Sequence, residues 1–310
     1  MKRLMCGFTL LVLLTSSAQA DDSLARALVY LEAEIPRWSR EHHCFSCHNN
    51  GDAARAVYAA VTAGREVPAA PLADTERWLK APEGWDKNGG DGPFSDKRLA
   101  RVQFTAALAS AVKAGRVAER ATLLRAATRL AEDQGNDGSW PVEEGETVGS
   151  PATYGRALLT WSALESLEQA EPRQFQNRIA RGRDWLRQLD ARTTPDAAAV
   201  VLALGNSPPP PESALSTLEQ SQSIEGGWGP YRSSPPEAFD TAIALLALER
   251  VPGRLGVAER LARGRAFLES LQRDDGSWPE TTRPTGAESY AQRLSTTGWA
   301  TLALLKTAKP

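Results

Sequence analysis

One segment of this chain returns roughly every 50 residues, and a period of that length restricts the fold to repeated supersecondary units that bury their faces on one another. The clearest copy reads Arg263-Gly264, Phe267-Leu268, Gln272, Gly276-Ser277-Trp278, and it is echoed by Arg125-Ala126, Arg129-Leu130, Gln134, Gly138-Ser139-Trp140. A looser copy ends in Gln222 and Gly226-Gly227-Trp228, Arg181-Gly182 with Trp185-Leu186 keeps the front half, and Trp78-Leu79 before Gly84-Trp85 and Tyr30-Leu31 are two more. Their Leu anchors fall at 31, 79, 130, 186, 218 and 268, so the chain holds six units.

After each anchor comes a small, apolar, helix-favouring run: Ala53–Ala63, Leu99–Ala114, Tyr154–Leu167, Asp196–Leu204, Asp240–Arg250 and Thr296–Leu305. These runs are apolar nearly all round, which marks helices buried on most sides, whereas anchor segments such as Glu259-Arg260-Leu261-Ala262-Arg263 carry charge on one face. Six polar-faced helices alternating with six buried ones predict an all-α fold, an (α/α)6 toroid, and no strand-period segment competes. Pro208-Pro209-Pro210-Pro211 is expected to link the fourth and fifth units, and the Gly-x-Trp turns to reverse the chain while Trp covers a helix end.

The Gln272, Gly276-Ser277-Trp278 pattern, with Arg263-Gly264 and Phe267-Leu268 ahead of it, resembles the QW repeat of squalene-hopene cyclases and the related terpenoid cyclase and protein prenyltransferase toroids. The resemblance covers most of residues 65–310 and implies their fold. Class II cyclases of that family protonate substrate with the central Asp of an Asp-x-Asp-Asp-Thr-Ala motif. The matching stretch here is Glu237-Ala238-Phe239-Asp240-Thr241-Ala242, with Phe239 in the donor's place. A phenyl ring has no proton to give, and Asp240 is expected to cap its helix. The prenyltransferases hold zinc with Asp, Cys and His, but no Cys or His follows residue 48. The resemblance is therefore expected to extend to fold and not to cyclase activity.

At the N-terminus, Lys2 and Arg3 precede an apolar run from Leu4 to Leu14 and a small-residue Ala18-Gln19-Ala20, the pattern of a secretory signal cleaved after Ala20. The run is shorter than the ~20 residues of a membrane span, so the mature chain is expected to be periplasmic or secreted, with no transmembrane segment. The expected organisation is a signal peptide at 1–20, a first helix pair at 21–65, and the rest of the toroid at 66–310. Hydrophobic residues at 42% suffice for a large core. Lys+Arg 36 against Asp+Glu 38 gives a net charge of −2, which excludes an electrostatic nucleic-acid binder.

Beyond the leader, Cys44 and Cys47 are the only cysteines and His42, His43 and His48 the only histidines. Cys44-x-x-Cys47-His48 matches the attachment sequence of haem c, in which two thiols add to the porphyrin vinyl groups and the adjacent imidazole ligates iron. With the export signal, this predicts a covalent haem with His48 as proximal iron ligand, in a protein of electron transfer or haem-based redox chemistry with a periplasmic redox partner or a small-molecule substrate. Both methionines, Met1 and Met5, lie in the leader, so the distal position falls to His42, His43, Tyr154 or Tyr290, or stays open. Arg156 and Arg293 are expected near the haem propionates, since a guanidinium matches a carboxylate. The motif sits where other units place their Gly-x-Trp turns. That puts the haem on the rim of the inner-helix N-termini, at the mouth of a central cavity. Whether the protein is an enzyme is left open.

Alternatives remain at this stage. Cys44 and Cys47 suit a disulfide, or a zinc site with His48 and His42 or His43, on a non-catalytic binding scaffold. A toroidal polysaccharide lyase or hydrolase would use carboxylates such as Asp137, Glu143, Glu144, Asp275 and Glu280 beside Trp140 and Trp278. Asp137 and Asp275 occupy equivalent repeat positions, however, which reads as turn chemistry.

Overall fold

The alternation of charged-face and all-apolar segments folds into two concentric layers of helices. A computed structural model describes residues 6–89, 96–142, 147–205 and 209–308, with side chains from residue 22 onward. The outer layer holds α1 (Cys6–His42), α3 (Ala73–Leu79), α5 (Arg120–Glu132), α7 (Gln176–Gln188), α9 (Glu212–Ser221) and α11 (Val257–Leu271). The inner layer holds α2 (Ala54–Thr62), α4 (Lys97–Lys113), α6 (Gly155–Ala170), α8 (Thr194–Leu204), α10 (Ala238–Leu248) and α12 (Tyr290–Lys306). Each inner helix packs on the next and α12 returns to α2, so the inner ring closes, and α1 touches α11 outside it. The chain is an all-α toroid, and among the described residues β pairing amounts to isolated bridges at Trp228.

All six predicted buried runs are inner helices. Alanine and leucine give them high helix propensity and a thin profile, so neighbours pack on every side. In α10, for example, Leu246 is the one residue that is not buried. Residues 1–5 and the side chains to 21 of the expected leader lie outside the described residues, as do Glu143, Glu144 and Pro208. Among the described residues no helix is long and apolar enough to cross a membrane.

The repeat motif proves to be a three-way fastener with the same bonds in three copies. The Trp140, Trp228 and Trp278 indoles donate to Leu130, Leu218 and Leu268 carbonyls at 2.8, 2.7 and 2.8 Å, satisfying the C-terminal end of the preceding outer helix. Their backbone N–H groups donate to Thr160, Thr241 and Thr297 on the following inner helix. Gln134, Gln222 and Gln272 donate across to Arg178, Arg260 and Ser23 carbonyls on the next outer helix. Gly138, Gly226 and Gly276 have φ of 99°, 100° and 88°, and a Cβ at Gly276 would stand 2.3 Å from the Arg26 carbonyl oxygen. The turns therefore require glycine twice over, for backbone angle and for space.

Candidate functional site: the axial cavity

The inner helices leave a cavity of about 800 Å³ inside the ring. One face of each helix lines it at helical spacing: Arg55, Ala59 and Thr62 from α2, Trp161, Leu164 and Glu168 from α6, Trp299, Leu302 and Lys306 from α12. The seven residue steps from Trp161 to Glu168 or from Trp299 to Lys306 make it about 10 Å deep at about 1.5 Å per step. Leu202 and Leu246 complete the apolar wall. Charged side chains ring the mouth, where Arg183 pairs with Glu168 at 2.9 Å and Arg250 with Glu165 at 3.3 Å. Burial, helped by the charge of Glu165, raises the Glu168 carboxyl above the ordinary glutamate range against the pull of Arg183.

The floor is an aromatic cluster around Trp299. Tyr154, Phe239 and Trp161 lie 5.5, 5.9 and 6.0 Å from it, ring to ring, and the Arg55 guanidinium stands 4.1 Å from its centroid. Beneath this layer the buried Asp52 carboxylate accepts from Gln103 Nε2 at 2.9 Å and from the Tyr154 hydroxyl. Tyr154 reaches it from a left-handed backbone, φ 59°, a conformation a bulky residue adopts only where surrounding packing holds it. Burial, then the Asp52 charge, pushes the Tyr154 phenol well up, so it remains a donor. Close approach completes the seal: a Cβ at Gly298 would stand 2.9 Å from the Asp52 carbonyl oxygen. The pit is thus blind at the inner-helix N-termini and open at their C-termini.

The CxxCH segment lies on the closed side. Ser46 accepts from the His48 and Asn49 backbone N–H groups and starts a wide π-helical turn, Cys47–Ala53, that leads into α2. Asn50 donates to Thr75 at 2.8 Å, Asn49 donates to Tyr290 at 2.9 Å, and Asn88 bonds both backbone groups of Phe45, which stacks on Trp78. Cys44 and Cys47 are free thiols. The Trp38 indole donates to Cys44 Sγ at 3.3 Å, and burial pushes the Cys47 thiol up to about 12. His48 Nδ1 lies 2.8 Å from Ser295 Oγ, and burial lowers its pKa.

The other expected site residues are engaged elsewhere. His42 lies 4.0 Å from Trp38, ring to ring, and His43 takes a positive φ of 55°. The Tyr290 hydroxyl donates to Glu34 at 2.7 Å. Arg156 binds Ser139 and Asp137, and Arg293 grips Glu280 with bonds of 3.0 and 2.8 Å. Asp137 and Asp275 accept from Ser139 and Ser277 inside their own turns, the structural role their repeat positions suggested. Asp240 does not cap α10. Its carboxylate meets Arg283 at 3.1 Å, and burial, opposed by Arg283 and aided by Glu237, raises its pKa to about 8.

Fold and cavity together define an all-α toroid built around an axial pit. No protein-family model matches the sequence, and no curated protein is similar to it. Solved structures are similar in fold. A variant of the type II terpene cyclase MstE from Scytonema, in complex with its substrate geranylgeranyl dihydroxybenzoate, shares 15% identity at a TM-score of 0.60, covering 94% of this chain and 98% of that one. ent-Copalyl diphosphate synthase from Streptomyces platensis shares 21% identity at a TM-score of 0.54, over 83% of this chain and 50% of that one. A protein from Actinoplanes shares 16% identity at a TM-score of 0.57, over 94% of this chain and 100% of that one.

These findings correct the functional expectation. The expectation of a haem protein of electron transfer, with terpene-cyclase-like function set aside, is overturned: solved structures of similar fold include type II terpene cyclases, one of them holding its product merosterolic acid A. Among the described residues no group of three His, Cys, Asp or Glu side chains is placed to hold a metal ion. The structure sets His48 Nδ1 against Ser295, pairs Arg156 and Arg293 with carboxylates, and opens the cavity on the rim opposite the CxxCH segment. The residue that sequence reading missed is Arg55. A charge inside the Ala-rich stretch Ala53-Ala54-Arg55-Ala56-Val57 was the available signal.

Proposed function

We propose that this chain is a terpene-cyclase-like toroid whose central cavity takes a small molecule of the isoprenoid class. The observation that carries the reading is the blind pit, with Trp161 and Trp299 at its floor and leucines on its walls. Its volume lies within the range of small-molecule pockets, and branched apolar chains match aromatic and leucine surface. The prenyl substrate held by the similar Scytonema cyclase supports the same ligand class. The leader-like residues 1–20 support export of the protein. The test is titration of the purified protein with geranylgeraniol and geranylgeranoic acid, read by tryptophan fluorescence. Saturable quenching that vanishes in Trp299→Leu supports the reading, and a flat titration with both probes overturns it.

A further inference from the structure

Deeper in the same pit, the geometry points to an oxyanion subsite formed by Arg55 and Trp299, so that the ligand carries a carboxylate or phosphate group at its inner end. The inference rests on the cavity being the ligand site and names the class of ligand more narrowly. Arg55 is 6% exposed and Trp299 fully buried, yet Arg55 Nε, Arg55 Nη2 and Trp299 Nε1 have no hydrogen-bond partner. Three donors without acceptors at the closed end of a cavity are costly for the protein to maintain. Nε and Nη2 form the edge of the guanidinium that two oxygens on one carbon or phosphorus atom engage in parallel. No carboxylate accepts from Arg55 Nε or Nη2. Asp52 is held by Tyr154 and Gln103, and Glu165 and Glu168, four and seven positions beyond Trp161 up the wall, pair with Arg250 and Arg183. The π-face of Trp299 offsets part of the cost but supplies no acceptor in the guanidinium plane.

An oxyanion bound there also reconciles a cationic floor with an aromatic cluster, because it neutralises Arg55 and leaves the indole faces to the apolar chain. The ligand would then lie with its charged group inward and its chain toward Leu302 and Leu164.

The test compares four probes on the full-length protein: geranylgeranoic acid, geranylgeranyl phosphate, geranylgeraniol and laurate. Wild type is expected to bind at least one of the two prenyl anions about tenfold or more tightly than the alcohol, as charge-assisted bidentate bonds require. The better of the two anions identifies the oxyanion. Arg55→Met should reduce that preference to about twofold or less, and Arg55→Lys, which keeps charge but loses the fork, should fall between. In the ligand-free state Arg55→Met should raise the thermal midpoint, whereas a guanidinium with a purely structural role would lower it. Equal binding of alcohol and anions by wild type overturns the subsite. Laurate binding as tightly as geranylgeranoate, with the same dependence on Arg55, upholds the subsite and overturns the isoprenoid reading. Failure of every probe overturns both.

Discussion

Replacing Trp278 separates the two ways in which the repeat turn holds the ring. The side chain is fully buried, and its indole donates at 2.8 Å to the Leu268 carbonyl at the end of α11. Trp278→Ala removes a large core aromatic, about 3–5 kcal/mol, and strips an acceptor at a helix end of its donor, which adds about 1 kcal/mol or more. Trp278→Phe keeps most of the apolar area and loses only the donor, for about 1–3 kcal/mol. Against a typical domain stability of about 5–15 kcal/mol, the alanine variant should lose about a quarter or more of the total. Urea unfolding followed by far-UV circular dichroism measures both, with Trp185→Ala as the half-buried comparison that should cost less. Equal costs for Ala and Phe at position 278 would show that packing contributes nothing there, and a cost below about 1 kcal/mol for Ala would refute the fastener itself.

Gly276→Ala should destabilise by about 2 kcal/mol or more, because a positive φ and a carbonyl 2.3 Å from the new Cβ act together, whereas Gly64→Ala, equally positive in φ but with open space, should cost about 1 kcal/mol; chemical denaturation of the two variants checks the difference. Asp240 has a pKa raised by burial to about 8, so the folded state holds its proton where the unfolded chain has released it. Its stabilising contribution is complete below the unfolded carboxylate pKa, near 4, and is lost as pH rises toward 8. Asp240→Asn should therefore flatten the thermal midpoint against pH between about 4 and 8. An unchanged slope would mean that the Arg283 pairing outweighs burial.

Fold was legible because the physics that sets it is local and repeated. Each inner helix announces itself by small apolar residues on every face, and each turn by Gly-x-Trp after a Gln. A sequence reader could see that Trp278 is buried, but not that its indole caps α11 or that Gln272 reaches Ser23 at the far end of the chain, since ring closure alone brings α1 to α11. The site was less legible. Cys44-x-x-Cys47-His48 is a five-residue pattern, and whether its side chains converge depends on residues such as Ser295, 247 positions away, that draw His48 inward. Likewise, which rim of a toroid is open depends on bulk at the axis, here Tyr154, Phe239 and Trp299, and axial position follows from no spacing rule. Arg156 and Arg293 looked available as charges until their turn carboxylates were in place beside them.

The pit between α2, α6 and α12 is the proposed ligand site. The most direct measurement is a crystal structure of the protein with geranylgeranoic acid bound. The prenyl chain is expected between Trp161 and Trp299, its carboxylate on the Nε and Nη2 edge of Arg55. Ligand bound only on the opposite rim, near Cys44, Cys47 and His48, would contradict it.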